Sequence, residues 1–466
     1  MLFSIPFALY YDLNQNLHWD FLICSSITIL FGYVMRLSTK SEKNAEIKKR
    51  DGYLIVVGGW ICMSLFGSLP YVISGSIPNF TDAFFETMSG FTTTGSTILN
   101  DIESLPKSIL FWRSMTQWIG GMGIIVLTIA VLPLLGIGGM ELFVAEAPGP
   151  TKDKIHPRIK ETAKRLWIIY FGLTCLETII LFFLGLDFFD AINHSLTTTS
   201  TGGFSTKQDS IAAFNNPWVE AVIVVFMFIA GTNFTLIYFG LKFKFKKLLN
   251  NDEFKWYLTS ILVVIFSLSL FHFSILDNTS FINSFRRIAF QVVSIITTTG
   301  YATADYTMWG PFMSFIFFLF LFSGASAGST SGGIKIVRIV LLIKNSLLEF
   351  KRRLHPKAII PLILNKNTVS GQVTYNLMAF IILYLFIFTV GSLILTFIGV
   401  DFLTSVSAVA SAIGNVGPGI GSVGPANSFY HLPDIGKWVL SIFMLMGRLE
   451  LFTVCLLFTP YFWKRI

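Results

Sequence analysis

Charge is scarce in this chain, and the scarcity excludes most soluble architectures. Only 13% of its 466 residues are Asp, Glu, Lys or Arg, while 53% are hydrophobic. A soluble domain carries about twice that share of charge. Histidine is scarce as well. The six histidines are scattered, with no HExxH and no Ser-His-Asp pattern that the chain order could bring together. The clustered acids, histidines or cysteines of a membrane enzyme are therefore missing, and the chain reads as no enzyme. Cys24, Cys62, Cys175 and Cys455 all fall inside apolar runs without CxxC spacing, so they read as small buried apolar residues. No glycine-rich motif follows a soluble strand, which argues against a nucleotide or other cofactor bound by this chain. The start of the chain has neither a basic segment nor a small-residue cleavage site, so it does not read as a signal peptide. Met1–Tyr10 is apolar but too short to span a bilayer, and is compatible with the end of a longer helix.

What is abundant is apolar sequence in long runs. Leu54–Ile73, Leu166–Leu184, Trp218–Tyr238, Trp256–Leu276, Asn376–Ile398 and Trp438–Phe458 each reach bilayer-spanning length. An all-α integral membrane protein follows, because a helix satisfies its own backbone hydrogen bonds in lipid. Of the 34 basic residues, 27 lie in five places: Arg36–Arg50, Lys152–Arg165, Lys242–Lys255, Lys335–Lys366 and the C-terminal tail. The intervening connectors are nearly free of them, so the basic connectors are cytoplasmic by the positive-inside rule. The net charge of +8 thus reports topology, and nucleic acid is not an expected partner.

Between pairs of apolar runs the same short loop recurs four times: Thr92-Thr93-Thr94-Gly95-Ser96, Thr199-Ser200-Thr201-Gly202-Gly203, Thr297-Thr298-Thr299-Gly300-Tyr301 and Ser411-Ala412-Ile413-Gly414-Asn415. Each unit starts and ends on the basic side, so all four loops enter from the outer face and the repeats are parallel. The expected division is an N-terminal helical extension over 1–51 and four helix–pore loop–helix repeats at 52–140, 141–245, 246–350 and 351–466, around one central pore. Aligned on Gly95, Gly202, Gly300 and Gly414, a hydroxyl stands three positions earlier in every unit (Thr92, Thr199, Thr297, Ser411). Nine positions earlier a polar residue stands in every unit (Glu86, Asn193, Gln291, Ser405), which either braces the loop from behind or anchors the pore helix near the outer surface. Such loops suit a dehydrated potassium ion. Backbone carbonyls make a neutral oxygen cage, and glycine takes the backbone angles that aim them. Threonine hydroxyls add oxygens at the lower rim, and the C-terminal ends of four pore helices favour a cation below. The plain alternative, tight helix packing on small residues, accounts poorly for four matched loops.

The segments FTTTGST, TTSTGGFST, TTTGYATAD and GNVGPGIG, with LPLLGIGGMELFVAEAPGPTKDKIHPRIKETAKRLWIIY between the first two repeats, resemble the Trk/Ktr/HKT superfamily of potassium transporters over nearly the whole chain, and its Trk-type uptake subunits above all. The resemblance implies a multi-pass subunit of the bacterial inner membrane, working as a homodimer with one pore per chain, with a cytoplasmic TrkA-type nucleotide-binding ring on its basic face and lipid around it. Potassium is then the transported ion, held at Thr93, Thr94, Gly95, Ser200, Thr201, Gly202, Thr298, Thr299, Gly300, Ala412, Ile413, Gly414 and Asn415. The fourth loop departs most, with Ala412 and Ile413 in place of Thr-Thr, which suggests less strict selectivity. A sodium-permeable or sodium- or proton-coupled symporter of the same architecture is the alternative. A secondary transporter of organic solutes is remoter, since it calls for inverted repeats.

Two further features stand out. The second helix of the third repeat is interrupted by Ser323–Gly333, small residues poor for a helix and set mid-span. The resemblance assigns Gly324, Ala325, Ser326, Ala327, Gly328 and Ser329 to an intramembrane gating loop; a kink with small-residue packing is the plain alternative. Arg448 lies deep in an apolar run, where a charge is expensive. Its expected partners are carbonyls of that loop or a carboxylate such as Glu450, and the resemblance places it in the ion path as an electrostatic barrier, against the alternative of a structural ion pair. Lys335 and Arg338 read as snorkelling anchors at the cytoplasmic interface. Arg286 and Arg287 read as orienting the third pore helix.

Overall fold

In the computed structural model, which describes residues 1–39, 49–131, 159–275 and 280–464, the chain is almost entirely helical. Most of the first two basic connectors and of the segment after Leu132 lie outside those residues. The helices follow from the apolar runs. Gly371–Phe397, with 27 residues, extends about 40 Å, more than the roughly 30 Å of a bilayer core. Among the described residues five helices are long and apolar enough to cross a membrane, or up to seven when each of two bent pairs is taken as one span. Large apolar side chains on their outer faces, such as Phe183, Trp218 and Phe397, stand exposed where lipid would lie. Cys62 and Cys175 are on that outer surface too, so the expectation that all four cysteines are buried holds for Cys24 and not for these two. An antiparallel hairpin, Leu362–Leu364 with Asn367–Val369, joins the third and fourth repeats on the basic side. Its turn is pinned to Asp252, which accepts from the Asn365 amide at 2.9 Å while its own amide donates to Asn365 Oδ1 at 2.7 Å.

Each repeat has an entering helix, a short pore helix and a leaving helix. The entering helices are Lys49–Gly67 continued by Leu69–Ile73, then Ile159–Phe183, Asp252–Ile275 and Gly371–Phe397. The pore helices are Phe80–Phe91, Phe188–Thr199, Phe281–Ile296 and Phe402–Gly414. With 12 to 16 residues they are about 18–24 Å long, too short to cross. Each is preceded by a residue suited to an N-cap: Asn79, Asp187, Ser280 and Asp401. Asn79 Oδ1 accepts from the Thr81 amide at 2.8 Å, and Asp401 Oδ2 from the Thr404 amide at 3.0 Å.

The leaving helices are all interrupted. Lys107–Val131 breaks at Gly123, whose φ of 54° and ψ of 179° are not helical. Pro217–Ala230 and Phe234–Leu241 meet at 109°, Asp434–Arg448 and Leu451–Leu457 at 119°. Pro311–Phe320 and Ile336–Leu354 are separated by the long small-residue segment. The sequence shows the break in the third repeat, between Pro311–Phe320 and Ile336–Leu354, and reads as continuous through the other three.

Ion pairs between repeats sit behind the pore helices. Lys437, on the fourth leaving helix, reaches Asp82 on the first pore helix at 2.6 Å, with both side chains buried. Glu220, on the second leaving helix, pairs with Arg286 on the third pore helix at 3.3 Å. The expectation that Arg286 orients that helix agrees with this contact.

The Lys437–Asp82 pair makes a stability prediction. Lys437→Met leaves a buried carboxylate without its partner, which costs about 3–5 kcal/mol. The thermal unfolding midpoint in detergent should fall clearly. Adding Asp82→Asn to Lys437→Met should recover part of the loss. If the two single losses simply add, the pair does not join the repeats.

Candidate functional site

All four pore helices end in the same backbone reversal. The amides of Thr93, Thr201, Thr298 and Asn415 donate to Gly90, Thr198, Ile295 and Ala412 carbonyls, at 2.9, 2.9, 2.9 and 3.3 Å. The next amides reach further back, Thr94 to Ser89, Gly202 to Thr197, Thr299 to Ser294 and Val416 to Ser411, at 2.9, 2.8, 2.8 and 3.0 Å. This is the helix-ending motif that normally puts glycine in the left-handed conformation. Here that place is taken by Thr93, Thr201, Thr298 and Asn415, with φ between 52° and 56°. A β-branched residue there is strained by roughly 1–2 kcal/mol, and it recurs in three of the four repeats.

Two residues later comes a left-handed glycine in every repeat: Gly95, Gly203, Gly300 and Gly417, with φ of 84°, 78°, 81° and 107°. The hydrogen-bond pattern makes these four equivalent. It corrects the alignment made on the first glycine of each motif. Gly202 corresponds to Thr94, one step before the left-handed position. Gly414 is the last residue of the fourth pore helix and corresponds to Thr92. Ala412 and Ile413 lie inside that helix as well, fully buried, and not in the extended strand after it. Ser200 is likewise the cap of its helix and not part of the strand. Thr93, Thr94, Thr201, Gly202, Thr298, Thr299 and Asn415 do stand at the reversal or in the strand.

The four strands abut in a closed ring. A Cβ on Gly95 would strike the Gly202 carbonyl oxygen, one on Gly203 the Thr299 oxygen, and one on Gly300 the Val416 oxygen. One on Gly417 would lie 2.8 Å from the Thr94 oxygen, which closes the circle from the fourth repeat to the first. No side chain fits at any of the four places. Gly95, Gly203, Gly300 and Gly417 all line one outer vestibule.

Behind the ring, buried polar side chains hold the strands as they rise. Counted from the corrected glycines, the position nine earlier is Glu86, His194, Gln291 or Ala408. Glu86 accepts from Thr97 Oγ1 and from the Ile98 amide, each at 2.9 Å, and from Arg113 Nε at 2.6 Å. His194 Nε2 lies 2.9 Å from Ser205 Oγ. Gln291 Nε2 donates to the Ala304 carbonyl at 3.1 Å. In the fourth repeat Ser407 takes over and donates to the Ile420 carbonyl at 2.7 Å. Of the two readings of these polar positions, bracing from behind describes Glu86 and Gln291. Asn193 and Ser405 bond within or at the start of their own helices. Arg113, unremarked in the sequence, joins two repeats: it pairs with Glu86, donates to the Ser205 carbonyl at 2.8 Å, and lies 3.6 Å from the Phe204 ring centre.

Beneath the ring lies the segment between Phe320 and Ile336. It folds back on itself, with the Gly324 amide on the Ile334 carbonyl at 2.9 Å and the Ile336 amide on Ala325 at 3.0 Å. Its first half, Ala325–Gly328, is fastened to the broken second leaving helix and to the third entering helix. The Ser326 amide donates to Gly231 at 3.0 Å, the Phe234 amide to Gly328 at 3.1 Å, and the Ala327 amide to Glu253 Oε1 at 2.6 Å. Its second half touches the ring. The Gly332 amide donates to Thr298 Oγ1 at 2.7 Å, and Thr330 Oγ1 lies 3.3 Å from both Thr201 Oγ1 and the Thr199 carbonyl. The residues directly under the strands are thus Thr330–Gly332, just past Gly324–Ser329.

Arg448 ties this segment to the first repeat. Its Nη1 donates to the Thr330 carbonyl at 2.8 Å, and its Nη2 to the Gly121 carbonyl at 2.7 Å and to Gly120. Of the two expected partner types, loop carbonyls are present, whereas Glu450 pairs with Arg338 at 2.7 Å. Arg338 is buried over the Phe380 ring, and Lys335 donates to the Ser331 carbonyl. Neither snorkels, because the segment folds back and starts the next helix inside the protein.

Comparison over the whole chain identifies its relatives. The family model described as "TrkH: Cation transport protein" matches residues 18–465. The Trk system potassium uptake protein TrkH of Salmonella typhimurium (strain LT2) is 42% identical over 94% of this chain and 91% of that protein. TrkG of Escherichia coli (strain K12), also a Trk system potassium uptake protein, is 39% identical over 91% of this chain and 88% of its own length. The crystal structure of the potassium transporter TrkH from Vibrio parahaemolyticus superposes with a TM-score of 0.87 at 37% identity, over 99% of this chain and 97% of that one. The chain belongs to the TrkH family of cation transport proteins and is a membrane transporter, not an enzyme.

The corrected register is testable. If the ring is an ion filter, Gly203→Ala and Gly417→Ala should weaken discrimination between potassium and sodium as Gly95→Ala and Gly300→Ala do, since each adds a Cβ against a carbonyl at a left-handed residue. Competition of the two ions against rubidium uptake reports it. Wild-type discrimination in folded Gly203→Ala and Gly417→Ala would return the ring to Gly202 and Gly414.

Proposed function

We propose, from that family membership and the closed ring of glycines, that this chain carries potassium ions across the cell membrane through a four-strand filter. The observation that carries the reading is the ring itself. Four backbone strands approach too closely for any side chain, with a neighbouring strand's carbonyl oxygen against each glycine, and carbonyl oxygens are the groups such strands can offer an ion between them. Such oxygens replace the water of a weakly hydrated cation at modest cost. The four pore helices add to this by directing their C-terminal ends toward the same axis. The likeness to proteins described as potassium uptake proteins supports potassium as the ion. No bound cofactor is required.

The segment from Leu321 to Lys335 acts as the gate. It sits against the underside of the ring at Thr201 and Thr298, so an ion leaving the filter meets it first. Arg448 reinforces the closed state twice over, by binding the Thr330 carbonyl and by placing a positive charge beside the exit. Opening withdraws Thr330–Gly332 and breaks that bond. The driving element is a cytoplasmic nucleotide-binding ring of TrkA type docked on the basic connectors, with two copies of this chain forming the membrane unit in a bacterial inner membrane. Strict selectivity is not expected. The fourth strand reads Asn415-Val416-Gly417-Pro418 where the others carry hydroxyls, so sodium permeation or coupling is the second reading. Rubidium and sodium flux in proteoliposomes, with sodium and proton gradients varied independently, separates the two; no potassium-dependent flux at all would sink both.

Arg448 gives a sharper test. At an effective dielectric near 20 and a separation of roughly 8 Å, its charge opposes an exiting cation by about 2 kcal/mol. That is roughly thirtyfold in rate where it falls on the limiting step. Arg448→Ala should raise rubidium uptake per folded protein by up to that factor. Arg448→Lys keeps the charge but loses the forked hydrogen bonds. Slow uptake in Arg448→Lys identifies the charge as the barrier, and fast uptake in both identifies the tie to the loop. Equal or slower uptake in folded Arg448→Ala removes Arg448 from the gate.

A further inference from the structure

The second filter strand is built differently from the other three, and the difference singles out a side chain of another repeat. Its sequence is Gly202-Gly203-Phe204, against Thr94-Gly95-Ser96, Thr299-Gly300-Tyr301 and Val416-Gly417-Pro418. Two consecutive glycines make this the least restrained of the four. The others carry restraints of their own. In the first, Glu86 holds Thr97 and Ile98. In the third, Ser294 Oγ donates to the Tyr301 carbonyl at 2.7 Å. In the fourth, Pro418 fixes one φ, and Ser96 and Ser411 both donate to the Gly417 carbonyl, at 2.9 and 2.8 Å.

The second strand is braced further up, at Ser205, by His194 and Arg113, and Gln117, on the first leaving helix, adds a restraint at the double glycine itself. Its Nε2 donates to the Gly202 carbonyl at 2.6 Å, and its Oε1 accepts from the Phe204 amide at 3.0 Å. The amide thus clamps the peptide groups on both sides of Gly203 and is itself completely buried. Among the described residues no side chain donates to the equivalent carbonyls of Thr94, Thr299 or Val416. Gly202 also has a reason to be glycine: a Cβ there would run into the Gln117 amide carbon. Its φ is not left-handed, so the obstacle to a side chain is Gln117 and not the backbone.

We propose that Gln117 is a positioning residue that fixes the second filter strand and sets how well the ring tells potassium from sodium. The inference rests on the ring acting as a cation filter. The clamp acts in two ways. It holds the Gly202 carbonyl in one direction, and it draws on that oxygen's electron density, so one of four equivalent oxygens offers a bound ion a weaker field. A ring with one pliable strand collapses more readily around a smaller ion; a ring with all four held does not.

The test uses the full chain in proteoliposomes, reading rubidium uptake in competition with potassium and with sodium, and folded protein by size-exclusion chromatography. Gln117→Met keeps the length and loses both hydrogen bonds. Gln117→Ala empties the site. Each should lower potassium-over-sodium discrimination about fivefold, the factor that one buried hydrogen bond supports. Gly202→Ala alone should be damaging, since its Cβ meets Gln117. Gly202→Ala combined with Gln117→Ala should discriminate better than either single variant, because the vacated space admits the Cβ and alanine restrains the strand in place of the clamp. That recovery separates positioning from mere packing. Unchanged discrimination in folded Gln117→Met overturns the inference. Loss in both Gln117 variants without recovery in the double variant also overturns it, by tracing the loss to packing. A parent protein that transports without preferring potassium overturns the filter reading, and the inference with it.

Discussion

The rest of this structure depends on backbone meeting backbone with nothing between. Each of Gly95, Gly203, Gly300 and Gly417 lies so close to a neighbouring strand's carbonyl that a single methyl group is excluded. For four strands to come that near, each must leave its pore helix along the same path. This explains why the same left-handed reversal occurs four times at residues other than glycine, at a cost of roughly 1–2 kcal/mol at each of the three threonines. A strained conformation persists when its surroundings over-determine it. Here the surroundings are buried polar groups, Glu86 with Arg113, His194 with Ser205, Gln291 with Ala304, and Ser407 with Ile420. Each repeat solves the bracing problem with different chemistry. The fourfold symmetry is therefore a property of the backbone and not of the side chains.

That distinction explains what could be read from the sequence. Membrane character, parallel repeats and the existence of four loops were all legible, because apolar length and charge position report them directly. Gly95 and Gly300 were legible because Thr-Thr-Thr-Gly offers one glycine. The second and fourth loops offer more than one, as Thr-Gly-Gly and Gly-Asn-Val-Gly-Pro-Gly, and alignment on the motif points to the first in each. The backbone chose the later one. Asn415 held the missing signal: asparagine is the non-glycine residue most at home in the left-handed region, which marks it as the reversal and places the strand glycine two residues on. The brace could not be read in full for the same reason, since an alignment wrong by one step points to Asn193 and not to His194. Arg113 was invisible because its partners come from two repeats.

The interrupted leaving helices carry the same lesson. The third break, eleven small residues long, is conspicuous in sequence. The others are a single glycine at Gly123, the Gly231–Asn233 step and the Leu449–Glu450 step, each too short to disturb an apolar pattern. Yet the breaks belong together. Breaking a helix in lipid frees backbone groups that must find partners inside the protein. The freed carbonyl of Gly231 takes the Ser326 amide, the freed Phe234 amide takes Gly328, and the carbonyls of Gly120 and Gly121, just before the Gly123 kink, take Arg448. The segment beneath the ring is held by groups that the neighbouring breaks make available.

As the proposed gate, such a segment has to be both ordered and movable. Thr330–Gly332 is buried, but what fastens it is mainly hydrogen bonds, from Gly332 to Thr298, from Thr330 to Thr199 and Ala230, and from Arg448 to Thr330. A hydrogen bond that can be exchanged for one to water contributes only about 1 kcal/mol net. A large apolar side chain in the same place would anchor the segment by roughly 2–3 kcal/mol of burial with no substitute partner on release. For the proposed gate, serine, threonine and glycine would therefore keep the segment well placed while holding down the free energy needed to withdraw it. Water entering from below would replace the lost bonds one by one. The arginine differs, since in the proposed opening its charge would remain beside the path after its bond to Thr330 is broken. On the proposed gating role, small polar residues with one fixed charge would separate two tasks, closing the path sterically and tuning how fast ions pass once it is open.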